Sequence, residues 1–255
     1  MSRVRVAAVE YLNTLPMIYG IRCAAQCVRH DEASYALYSD LSNGLTLAIP
    51  SQCAAIAREG RCDIALVPVG ALGDLKSGYT IITDYCISAT GAVDTVEMFS
   101  NSALRDIKRI YRDSHSRTSV KLCEVLCREL WDISPEFVEG LPSDYTLAEG
   151  EALVAIGDKV FDIEEKFTHK WDMSEEWHRL YSLPFVFAVW VAITPEGLAA
   201  TDALNRAIKY GVEHIEEALP DDPLRPKRLH YLTERIEFSL SESKLQAMEL
   251  FLSKI

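Results

Sequence analysis

The chain has 255 residues, 49% hydrophobic and 25% charged, with a net charge of −12. That is enough apolar mass to bury a real core, and it excludes a disordered chain. The acidic balance argues against a nucleic-acid-binding face, which needs clustered positive charge; an anionic ligand would have to be drawn in by a local positive field.

The first residues, Met1-Ser2-Arg3-Val4-Arg5-Val6, run into a strand pattern with no long apolar stretch, so no signal peptide and a cytoplasmic location are expected. Residues 4–9 read as a short apolar strand, 10–16 as a loop and 17–21 as a short helix. Residues 35–40 read as a second strand. Residues 49–60 read as a helix, with Ser51 suited to the N-cap and Gly60 to the stop. Residues 63–69, ending around Pro68, form a buried strand, and 79–83 another. Strands alternating with helices predict a βαβ sheet. Residues 88–92 read as a turn, 93–99 and 107–111 as strands, and 118–130 as a helix. A strand at 135–138 and a buried strand at 152–158, with Gly157 at its exit, come next. Residues 161–177 read as helix fragments and 183–192 as a long buried strand. The run 183–193 is too short to span a bilayer, so no membrane association is expected. The remainder reads as helices at 201–219 and 241–252 around a charged turn at 220–227.

The seven cysteines are odd in number and irregularly spaced. Cys23/Cys27 and Cys123/Cys127 stand four apart, which is neither a redox nor a zinc motif, so reduced and mostly buried cysteines are expected. His169 and His178 show no metal-ligand spacing, and no phosphate-cradling glycine motif occurs. Neither metal nor cofactor is expected.

The most informative stretch is Asp113-Ser114-His115-Ser116-Arg117-Thr118-Ser119. It is rich in hydroxyls and opens a helix, whose free N–H groups and partial positive charge attract carboxylates or phosphates. Ser116, Thr118 and Ser119 offer O–H donors, and Arg117 a planar fork suited to a carboxylate. The same residues also serve as ordinary caps, and Arg117 could equally pair with Glu124 or Asp113. The other polar exits from strands are Asn13, Pro68, Ser88 and Asp158. Ligands of open α/β sheets bind at such exits, and exits from both halves of the chain suggest two lobes facing across a cleft.

These blocks occur together in one family. Glu10-Tyr11-Leu12-Asn13-Thr14-Leu15-Pro16, the segment Ile87-Ser88-Ala89-Thr90-Gly91-Ala92-Val93, the 113–119 loop, Ile156-Gly157-Asp158 and Leu183-Pro184-Phe185-Val186-Phe187-Ala188-Val189-Trp190 follow in its order. Over residues 4–215 the chain resembles the chorismate dehydratases of the futalosine route to menaquinone. It lacks the Ser-Pro-Cys-Pro-Asn-Asp loop of the sister dihydroxynaphthoate synthases. The turn after Ser88 departs from the usual acid-or-amide then Gly-Pro, reading Thr90-Gly91-Ala92. The resemblance implies an α/β fold of the type II periplasmic-binding-protein kind, with mixed sheets flanked by helices and a ligand cleft between lobes. It implies one lobe from 1–87 and 187–255 and a second from 88–186, in a monomer or weak homodimer.

The implied reaction removes water from chorismate to give 3-[(1-carboxyvinyl)oxy]benzoate. A proton leaves the ring carbon bearing the enolpyruvyl ether, and hydroxide leaves its neighbour as the ring becomes aromatic. Charge builds on the ring carboxylate, where one well-placed donor can contribute about 3 kcal/mol. Ser116, Arg117, Thr118 and Ser119 are the candidate donors; Pro68 and Asp158 are further substrate-binding candidates, and Asn13 and Ser88 catalytic ones. The base stays open: the substrate's enolpyruvyl carboxylate, with an effective molarity of about 10⁵ M if aligned, or Asp158 or Glu10. A small-anion binding or sensor protein of the same fold is the reading from another class.

Overall fold

The computed structural model describes residues 3–27, 32–75, 78–114 and 116–255. In chain order the elements are β1 (Val6–Val9), α1 (Leu15–Cys27), α2 (Glu32–Asn43), β2 (Leu45–Ala48), α3 (Pro50–Arg58), β3 (Ile64–Pro68), β4 (Thr80–Ala89), β5 (Val96–Ser100), β6 (Arg109–Arg112), α4 (Thr118–Glu129) and β7 (Glu136–Glu139). There follow β8 (Glu151–Ile156), α5 (Val160–Ile163), β9 (His169–Asp172), α6 (Met173–Tyr181), β10 (Phe185–Ala192), α7 (Pro195–Ala199), α8 (Thr201–Glu213), α9 (Ile215–Ala218), α10 (Arg225–His230), β11 (Glu237–Ser239) and α11 (Glu242–Leu252). The chain forms two compact units, one from residues up to 87 with 188–241, the other from 88–187 with 242–255.

The first unit is built on a mixed sheet ordered β11-β4-β10-β3-β1-β2. β1 pairs in parallel with β2 and β3, and β10 runs antiparallel to β3. β1 and β3 are buried along their whole length, as expected for unbroken apolar runs in the interior of a parallel sheet. Beside the sheet α1 crosses α8 at two glycines. A Cβ on Gly20 would lie 2.0 Å from the Ala207 carbonyl oxygen, and one on Gly211 1.9 Å from that of Pro16. Only glycine permits so close an approach of two helix backbones.

The second unit holds a mixed sheet ordered β7-β6-β8-β5-β9. β6 is parallel to β7 and β8, while β5 is antiparallel to β8 and β9. Phe99, Leu153 and Ala155 pack with Val160 and Ile163 of α5 in one core cluster. α4 buries Leu122, Val125 and Leu126 and packs with α6. Their spacing is that of a helix stripe.

Several expectations are corrected. Residues 35–40 are helical, not extended: they lie in α2, whose buried Tyr38 and Leu41 stand three apart on one helix face. α1 is far longer than 17–21, and β2 and β9 were not foreseen. α3 begins at Pro50 with Ile49 as N-cap, so Ser51 lies inside the helix. β4 runs on to Ala89, which places Ser88 in a strand; the turn comes later, at Gly91 with φ 84°. A proposed turn at 220–227 gives way to α10 from Arg225.

The segment 242–255 belongs to the second unit, not to the first lobe with 187–241, and Phe187 belongs with it. Phe251 of α11 packs edge-on against Trp177 and Phe185, with ring centroids at 5.9 and 5.0 Å. Lys254 bonds Glu129 at 2.7 Å. Aromatic burial and this ion pair hold the tail there.

No helix among the described residues is long and apolar enough to cross a membrane. The cysteines whose side chains are described are free; Cys23 is half-buried and the others are buried. The side chain of Cys27 and all of His115 lie outside the described residues.

Candidate functional site

In the first unit, Asn13 and Pro68 come to the same edge of the sheet. β1 and β3 are parallel neighbours, Val6 opposite Ile64, and each runs into a 3-10 turn at its C-terminal end. Asn13 is half-buried in the middle of the turn Leu12–Thr14. That turn is pinned by Thr14, whose buried hydroxyl lies 2.5 Å from the Val9 carbonyl and 2.8 Å from that of Tyr11. Thr14 therefore fixes where Asn13 stands, a role its place in the motif did not reveal. Pro68 is buried and opens the turn Val69–Asp74.

In the second unit, β6 and β8 are parallel neighbours and their exits share an edge. The β6 exit is Asp113, the β8 exit Gly157-Asp158. The backbone of Gly157 takes φ 73°, which turns the chain sharply into α5. Asp113 lies against this exit. Asp113 is 2% exposed. Its Oδ2 accepts the Ile156 N–H at 3.3 Å and pairs with the Lys159 ammonium. Its carbonyl accepts the Ser116 N–H at 3.0 Å. Ser116 then caps α4: its Oγ accepts the Ser119 N–H at 3.0 Å. The Thr118 hydroxyl donates to the Phe187 carbonyl of β10 at 3.2 Å, and β10 is the sheet neighbour of β4, which carries Ser88.

Ser88, Ser116, Thr118 and Ser119 are all buried, whereas Arg117 and Asp158 are exposed. Neither suggested partner takes Arg117. Glu124 pairs with Arg112 at 2.5 Å, and Asp113 with Lys159. Among the described residues no ion pair to Arg117 occurs, so its guanidinium stands at the helix start without a carboxylate. The first bond within α4 is Lys121 N–H to the Arg117 carbonyl, at 3.5 Å, and earlier N–H groups of a helix have no partner inside it. Ser116 therefore works as a cap, spending its acceptor on the helix itself, while the helix end keeps its attraction for an anion.

Two further groups escaped the sequence reading. Glu97 sits in β5, which is buried along its length, opposite Ala155 and Asp172. Its Oε2 has no hydrogen-bond partner. Burial first, and then the Asp172 carboxylate, push its carboxyl up to about 9. Asp172 itself caps α6, accepting N–H groups from Ser174 and Glu175 at 2.9 and 3.1 Å and from Val93 and Asp94 at 2.7 Å each. A glutamate between apolar neighbours in a short strand was the available signal for the first. Among the described residues no group of three His, Cys, Asp or Glu is placed to hold a metal ion.

A family model described as "Menaquinone biosynthesis" matches residues 4–255. The chain belongs to this menaquinone-biosynthesis family. The chorismate dehydratase of Thermus thermophilus is 22% identical over 227 residues, 80% of this chain and 83% of that protein. Among solved structures, a protein of Archaeoglobus fulgidus matches with a TM-score of 0.69 at 14% identity, covering 98% of this chain and 96% of that one. A Candida albicans protein described as showing the generic periplasmic binding protein fold matches with a TM-score of 0.59 at 12% identity, covering 99% and 91%. The fold is thus of the type II periplasmic-binding-protein kind, α/β with two mixed sheets flanked by helices. Family membership extends to residue 255, so it includes the tail beyond 220, which no sequence block had reached.

Proposed function

We propose that the protein is a chorismate dehydratase, a hydro-lyase that removes water from chorismate to give 3-[(1-carboxyvinyl)oxy]benzoate. The observation that carries this reading is the family match over residues 4–255, alongside a chorismate dehydratase among the relatives. The geometry supports it at the start of α4. Here a capped helix end and Arg117, which has no ion pair among the described residues, offer a positive field and a planar fork to a carboxylate. In this reading they stabilise charge building on the ring carboxylate as the proton leaves. Asn13, held by Thr14, and Ser88 are the polar partners of the enolpyruvyl carboxylate or of the departing hydroxyl. Pro68 and Asp158 supply binding contacts from their strand exits.

Glu10 and Asp158 are both exposed, so neither sits in dry surroundings that would strengthen its action on a reacting proton. The substrate's own enolpyruvyl carboxylate is therefore the preferred base, worth an effective molarity of about 10⁵ M when aligned.

Steady-state kinetics of chorismate loss in variants test these roles. Arg117→Ala is expected to lower kcat/KM by about 10²-fold, the loss of one charge-stabilising contact. Asn13→Ala is expected to act mainly on kcat. Turnover unchanged in both variants would remove these residues from the reaction, and binding of chorismate without turnover would favour the anion-binding reading.

A further inference from the structure

Ser88 lies one residue from the end of β4 and is buried, and the loop that follows runs to β5 at Val96. That loop turns at Gly91 and again at Asp94, whose φ of 61° is left-handed and unfavourable for most residues that carry a Cβ. One carboxylate holds the second turn. Asp172 Oδ2 accepts the Val93 and Asp94 N–H groups at 2.7 Å each. Its other oxygen, Oδ1, accepts the Ser174 and Glu175 N–H groups at the start of α6, at 2.9 and 3.1 Å. One oxygen is enough for the helix cap; the second is spent on the loop. Glu97, opposite Asp172 in the β5–β9 pair, has no partner for its Oε2. Two facing carboxyls in a buried strand pair do not both ionise freely, and the four N–H donors assign the charge to Asp172. Ser88, the loop, Asp172 and α6 all belong to the second unit.

We propose that Asp172 is a positioning residue for Ser88: the carboxylate that caps α6 also fixes the loop leaving β4, and with it the place of the Ser88 hydroxyl. This rests on the reading of Ser88 as a group that acts on the substrate. Asp172→Ser separates the two duties. Serine is a good N-cap for α6, but its single oxygen, one bond nearer the backbone, cannot serve the loop as well. In this variant kcat is expected to fall about tenfold, with KM within about threefold of the wild type, because a displaced hydroxyl costs alignment more than affinity. Ser88→Ala removes the group through which Asp172 acts, so in that background Asp172→Ser costs less than about threefold further. A merely structural Asp172 would lower stability and multiply its loss onto that of Ser88→Ala. The wild type is also expected to lose kcat as pH drops through about 6, because burial raises the Asp172 carboxyl to that value and protonation loosens the clamp. The titratable groups on the surrounding elements are Glu97 on β5, Lys170 on β9, Asp94 in the loop and Glu175 on α6. Glu97 keeps its proton up to about 9, and Lys170 is paired with Glu164 at 3.0 Å. The acid limb is therefore missing in Asp172→Ser.

The test measures kcat and KM for chorismate from about pH 5 to about pH 8 in the wild type, the two single variants and the double variant, with circular dichroism to check each fold. A kcat loss in Asp172→Ser that vanishes in the Ser88→Ala background, together with loss of the acid limb, supports the proposal. Additive losses, a wild-type kcat in Asp172→Ser or an acid limb that survives in it each overturn the proposal and leave Ser88 in the reaction. If Asp172→Ser fails to fold, Asp172→Asn, which keeps the side-chain length and one acceptor oxygen, takes its place in the same cycle, and additive losses there overturn the proposal equally. Full activity in Ser88→Ala removes Ser88 from the reaction and the inference with it. A wild type that leaves chorismate untouched overturns both the proposed activity and the inference.

Discussion

Glu97 makes the sharpest prediction at the scale of single residues. Its carboxyl is pushed from an ordinary value of 4.5 up to about 9, first by burial and then by Asp172. A group whose folded value is raised binds its proton more tightly in the folded state. Its stability contribution is complete below about 4.5 and is lost as pH rises toward 9, at about 1.4 kcal/mol per pH unit. Glu97→Gln removes this dependence. Urea unfolding at pH 6 and pH 8.5 is expected to show the variant gaining on the wild type as pH rises; a constant difference would mean that Glu97 ionises in the fold without cost. The hydroxyl-rich loop shows how far single residues were legible. That 116–119 opens a helix could be read from the pattern. That Thr118 bonds Phe187 and Asp113 bonds Lys159 could not, because those partners lie 69 and 46 positions along the chain and only the fold brings them near.

At the scale of elements, the α1–α8 crossing is decided by steric contact rather than by helix propensity. Replacing a helical glycine by alanine ordinarily gains about 1 kcal/mol. At Gly20 and Gly211 the new Cβ would meet backbone oxygens at 2.0 and 1.9 Å, atoms that cannot step aside without moving a helix. Gly20→Ala and Gly211→Ala are each expected to cost about 2–3 kcal/mol net. Gly73, where a Cβ meets nothing within 4 Å, is the control: Gly73→Ala should stay within about 0.5 kcal/mol. Chemical unfolding midpoints decide this, and equal effects at all three sites would contradict the packing described. The buried strands β3, β8 and β10 were legible because apolar runs bounded by polar turns have few other solutions. α2 was misread because 35–40 is too short for the eye to separate a period of two from one of 3.6; its full length shows the helical spacing of Tyr38 and Leu41. β9, His169–Asp172, is four residues long with two exposed polar residues before half-buried Trp171 and buried Asp172, so its pairing with β5 left no local trace.

At the scale of the whole molecule, the chain passes from one unit to the other at residues 87/88, 187/188 and 241/242. The last passage was hidden from sequence, since α11 resembles any amphipathic helix and says nothing of what it covers. Its Phe251 is 1% exposed, and Phe251→Ala should cost about 3–5 kcal/mol. Hydrogen exchange is expected to report the loss of protection within 88–187, while 32–75 keeps its own. Lost protection confined to 188–241 would reassign the tail. The central claim, however, is chemical. Purified protein should be incubated with chorismate, without added metal or nucleotide, and the products followed by mass spectrometry. The account predicts a product lighter by one water, 3-[(1-carboxyvinyl)oxy]benzoate, at a rate above the enzyme-free control. Chorismate recovered intact from a folded protein would contradict it.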